Sequence, residues 1–132
     1  MDPTETSPRA RRVGGGLLWF AALGGALSWT VHLFVAWATD ELACASGHTT
    51  LAGFPVKGVV TIGVVLPALV AAAALATAWL AWRRTSAAAG EDDPRMGRAA
   101  LLAVVGLAAN TLFLAIIIAG GVSLLVFSAC QR

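Results

Sequence analysis

Three long uncharged runs, a one-sided distribution of arginines and aromatic residues at the run ends predict the fold class. It is an all-α membrane protein with three transmembrane helices, its N-terminus cytoplasmic and its C-terminus outside. The runs are Leu17 to Thr39, Gly58 to Trp82 and Ala99 to Gln131. Each exceeds the roughly 20 apolar residues that cross a hydrocarbon core of about 30 Å. The chain has 132 residues, of which 58% are hydrophobic and 12% charged. That charged share is about half of what a soluble domain carries. Three helices consume most of the length, which excludes a separate soluble domain.

Orientation follows from charge near the span ends. Arg9, Arg11 and Arg12 precede the first span, and Arg83, Arg84, Arg95 and Arg98 lie between the second and third. Only Lys57 and Arg132 lie on the other side. Positive charge gathers on the cytoplasmic side of membrane proteins, so the N-terminus is placed inside, in a bacterial cell membrane. A cleaved signal peptide is the competing reading of the first span. Its apolar run is much longer than the roughly 7–15 residues of a signal h-region, so the helix is expected to be retained.

In chain order, Met1 to Gly16 reads as a disordered basic tail rich in Pro, Thr and Arg. Arg9, Arg11, Arg12, Arg83 and Arg84 are expected to rest on lipid headgroups at about 1 kcal/mol each, with no nucleic acid as partner. Residues 17–132 form the bundle, with spans at about 17–39, 58–82 and 99–127. Trp19, Phe20 and Trp37 mark the two ends of the first span. In that span Ala22, Gly25, Trp29, His32 and Ala36 share one stripe by their 3-4-3-4 spacing, and Gly24 and Ser28 form a small-xxx-small pair. This stripe is expected to pack against a partner protein.

The outer loop, 40–57, carries Asp40, Glu41, Cys44 and His48, and its Ser46-Gly47 pair and Pro55 argue against one continuous helix. Pro67 removes one backbone hydrogen bond from the second helix and predicts a kink there. Trp79 and Trp82 mark its inner end. The cytoplasmic loop, 83–98, reads as a solvated linker with no phosphate-binding glycine pattern. The third helix is longer than a bilayer, so it must tilt, break at Gly120-Gly121 or protrude.

Few residues carry chemistry. Cys44 and Cys130, the only two cysteines, both fall on the outer, oxidising side at similar depth. A disulfide between them is the leading reading, with free thiols and metal ligation as alternatives. The metal alternative rests on Asp40, Cys44 and His48, spaced four apart and aligned only if the helix extends into the loop. His32 is the one ionisable residue within a span. It is read as a neutral imidazole hydrogen-bonded to Asn110, to Ser28 or to a partner's backbone, with a haem ligand as the alternative. Asn110, near mid-depth of the third span, needs an interhelical partner. No nucleophile–base constellation is present, so neither an enzyme nor a cofactor is expected, and the lack of Asp or Glu in any span argues against a proton-coupled transporter.

Leu27-Ser28-Trp29-Thr30-Val31-His32-Leu33, followed by Glu41-Leu42-Ala43-Cys44, forms a W-x-x-H and then a Cys just past the first span. With Cys130 near the C-terminus and three helices, this resembles small uncharacterised bacterial membrane proteins encoded beside cytochrome c (haem-copper) oxidase subunits. The resemblance implies a non-catalytic accessory or assembly-linked subunit of that respiratory complex, with larger integral membrane subunits as partners and no redox centre of its own. The competing expectation is a haem- or copper-handling, or thiol-redox, membrane protein using His32, Cys44, His48 and Cys130. A holin-like pore is a more remote third.

Overall fold

The computed structural model describes residues 8–47, 50–51, 53–87 and 94–126. Three helices, α1 (Pro8–Ser46), α2 (Val56–Ala87) and α3 (Pro94–Val126), are each long and apolar enough to cross a membrane. A proline opens or directly precedes each of them: Pro8, Pro55 and Pro94. At a first helical turn the missing N–H is no loss and the fixed φ is already helical.

All three helices run beyond the apolar spans. Pro8–Gly16, expected to be disordered, is helical, because Pro8, Ala10, Arg11 and Arg12 start a helix that the span continues. At the other end Asp40–Ser46, assigned to the loop, completes α1. The helix stops at Gly47, whose φ of 63° lies in the left-handed region and whose N–H returns to Ala43 O at 3.0 Å. Glycine takes that conformation without a side-chain penalty, so Ser46-Gly47 does mark the end. A short hairpin, β1 (Thr50–Leu51) against β2 (Phe54–Pro55), departs from the all-α expectation. It turns through Gly53, with φ of 85°. α3 runs unbroken through Gly120 and Gly121.

The helices pack in all three pairs. Gly25 meets Asn110 and Ala21 meets Gly106, so α1 and α3 run parallel. Gly24 meets Ala74 and Val35 meets Gly63, so α2 runs antiparallel to both. The buried positions are Ala21, Gly24, Gly25, Ser28, His32, Thr39 and Ala43 on α1, Gly63, Pro67, Ala71, Ala74 and Ala78 on α2, and Ala103, Gly106, Asn110, Ile117 and Gly121 on α3. Steps of three, four and seven connect them within each helix and match the seam of a left-handed bundle with small residues at the contacts. Large apolar side chains such as Leu27, Phe34, Leu66, Leu69 and Leu101 face outward instead. In water this would be inverted; against lipid tails it is the expected arrangement.

Candidate functional site

Two of the polar residues buried in the bundle, Asn110 and His32, clamp one helix to another. The first clamp is made by Asn110, which is fully buried. Its Nδ2 donates to Ala21 O at 2.6 Å, and its Oδ1 accepts from Gly25 N at 2.8 Å. Those two backbone groups are four residues apart, the pair that an α-helix ordinarily joins to each other. One amide side chain of α3 thus reads a donor and an acceptor on a single turn of α1. The fit requires small residues on both sides. A Cβ on Gly25 would run into Asn110, standing 3.0 Å from its Cα, and one on Gly106 would collide with the Ala21 carbonyl.

The second clamp starts from Pro67. Proline has no N–H, so the carbonyl four residues earlier, Gly63 O, loses its helical donor. His32 of α1 supplies the replacement: its Nδ1 lies 3.0 Å from Gly63 O. A carbonyl only accepts, so the ring proton sits on Nδ1 and, in the neutral ring, Nε2 holds the lone pair. Nε2 faces α3 at Gly120, where an added Cβ would stand 3.0 Å away. His32 itself is 5% exposed. Beside it runs a narrow crevice lined by Ala36, Val60, Gly63, Val64 and Leu124. The chemistry available here is hydrogen bonding between helices, in an apolar setting where an unpaired carbonyl is costly.

The stripe expected to face a partner protein is therefore turned onto the chain's own helices. Gly25 lies against Asn110, Trp29 stacks on Phe113 with ring centroids 5.6 Å apart, Ser28 is buried, and His32 binds Gly63. His32 also does not pair with Asn110 or Ser28, because Pro67 presents a stronger need on the neighbouring helix. Gly63, Gly106 and Ala21 were not singled out from the sequence, and Gly120 only as a candidate break in the third helix. The signals were present: Gly63 is four residues before Pro67, and Gly106 four before Asn110.

At the hairpin end, the helical extension does bring Asp40 and Cys44 together, with Cys44 Sγ 3.9 Å from Asp40 Oδ1. Cys44 is disulfide-bonded. A disulfide sulfur has no proton to donate, so this approach is a van der Waals contact. His48 and Cys130 lie outside the described residues, and among the described residues no three His, Cys, Asp or Glu side chains gather as metal ligands. Arg12, Arg83, Arg84 and Arg98 are exposed at the opposite end. Arg9 and Arg11 fall within α1.

The chain matches no protein-family model, no curated protein and no solved structure.

Proposed function

We propose that this chain spans a bacterial cell membrane three times, N-terminus in the cytoplasm, as a non-catalytic accessory or assembly-linked subunit of a larger respiratory complex. The observation that carries the non-catalytic reading is the use made of the interior polar groups. The His32 Nδ1–H and both ends of the Asn110 amide bond the backbone of the same chain. Their role is to hold α1 against α2 and α3. A cytochrome c oxidase is the complex suggested by the Trp29-x-x-His32 pattern with Cys44 beyond it.

The interior stripe is occupied, so docking on larger subunits uses the outward apolar faces. The arginines at the N-terminal end meet lipid headgroups. The disulfide of Cys44 is assigned to Cys130, the only other cysteine in the sequence, and it ties the end of α1 to the chain beyond α3.

The test is a reduced-minus-oxidised absorption spectrum of the tagged protein purified from its native membranes in mild detergent. Haem bands that travel with larger subunits, and leave when these are stripped away, are the expected result. Bands that stay with the isolated chain and disappear in His32→Ala would replace this reading with a haem-handling protein.

A further inference from the structure

The N-terminal end of the bundle gathers arginines from all three helices. Taken from the layer of Ala21, Ala78 and Gly106, Arg83 and Arg84 lie about 8–9 Å along α2. Arg12 and Arg98 lie about 12–14 Å along α1 and α3. All four are exposed. The guanidinium groups of Arg83 and Arg84 have no hydrogen bond or ion pair among the described residues. Just below them Trp79 and Trp82 form a tilted pair, centroids 5.1 Å apart, and Trp79 keeps 47% of its surface exposed. Neither indole N–H has a partner among the described residues. Arg83 is four residues after Trp79, so guanidinium and indole share one helix face. That face continues away from the arginines as exposed Ala76, Ala72 and Leu69.

A cation pair, two indole donors and then an uninterrupted apolar strip repeat the order of groups in one molecule: phosphodiester, glycerol esters, acyl chain. We infer that Trp79, Trp82, Arg83 and Arg84 form a binding site for an anionic phospholipid on the outer face of α2. The guanidiniums take the phosphate, the indoles the ester region, and the acyl chain lies along the smooth face below. The inference rests on the membrane-spanning reading but not on the accessory-subunit reading.

The experiment is native mass spectrometry of the full chain released from vesicles of equal phosphatidylglycerol and phosphatidylcholine. The expected result is retained phosphatidylglycerol in preference to phosphatidylcholine. Arg83→Gln should lower that preference about fivefold, and the Arg83→Gln/Arg84→Gln pair about thirtyfold. The Arg12→Gln/Arg98→Gln pair removes the same charge and should leave most of the preference in place. Equal loss in both pairs would overturn a located site in favour of a diffuse surface potential. No preference in the unaltered chain would also overturn it. Carbonate extraction of the same vesicles separates the two readings. Release of the chain would sink membrane spanning and the lipid site together, whereas retention without lipid preference sinks the lipid site alone.

Discussion

Asn110 joins α3 to α1 through two hydrogen bonds, one donated and one accepted by the same amide. Leucine at this position fills the room but removes both hydrogen bonds between α3 and α1, leaving Gly25 N–H and Ala21 O only their own helical pairing. Asn110→Leu should therefore destabilise the bundle by about 1–3 kcal/mol, measured by unfolding in mixed detergent micelles. Gly120→Ala should cost about 1–3 kcal/mol by pressing a methyl group onto His32 Nε2. Sequence reasoning identified His32 and Asn110 as the polar residues that need partners, because an unpaired polar group is costly anywhere in an apolar span. The interhelical partner expected for Asn110 is present on α1, whereas His32 bonds neither Asn110, Ser28 nor another protein's backbone but Gly63 O of its own chain. The same-chain backbone partners have two origins: Gly63 O is open because Pro67 removes its helical donor, and Ala21 O and Gly25 N are within reach because Gly25 and Gly106 let α3 come close.

Among the elements, helix existence was legible and helix extent was not. Hydropathy measures which residues tolerate lipid, whereas helix length is set by capping and propensity. Pro8 starts α1 and Gly47 stops it, far outside the apolar run of Leu17 to Thr39. Gly47→Ala should weaken the last turn of α1 by about 1 kcal/mol, seen as faster amide exchange at Ala43–Gly47. The packing of α1 on α3 depends on the absence of a side chain at Gly106. Gly106→Leu should separate these two helices while leaving the α1–α2 contact at Val35 and Gly63. Cross-linking of engineered cysteine pairs at the two interfaces would distinguish loss of one contact from general unfolding. The 3-4 spacing that revealed the α1 stripe gives which residues share a face, but not whether the neighbour is the same chain. Only the matching small residues on α2 and α3 decide that.

As a whole, the molecule is a small bundle with Ser28, His32, Thr39 and Asn110 turned inward and large apolar side chains outward. Reducing the disulfide of Cys44 should lower stability by about 2–4 kcal/mol if, as proposed, it closes the roughly 86-residue loop to Cys130. It should leave the helices themselves intact by circular dichroism. The central claim is that His32 serves the carbonyl that Pro67 frees, and nothing beyond it. Its most direct test is suppression: stability of the isolated chain, together with association and absorption spectrum after purification from native membranes, for His32→Phe with Pro67 retained and with Pro67→Ala. Alanine at position 67 restores an N–H for Gly63 O, so the account predicts that Pro67→Ala recovers most of the stability and partner association lost in His32→Phe. An equal loss in both backgrounds, or a chromophore that vanishes from the isolated chain with His32 in either one, would contradict it and make His32 a ligand-binding residue.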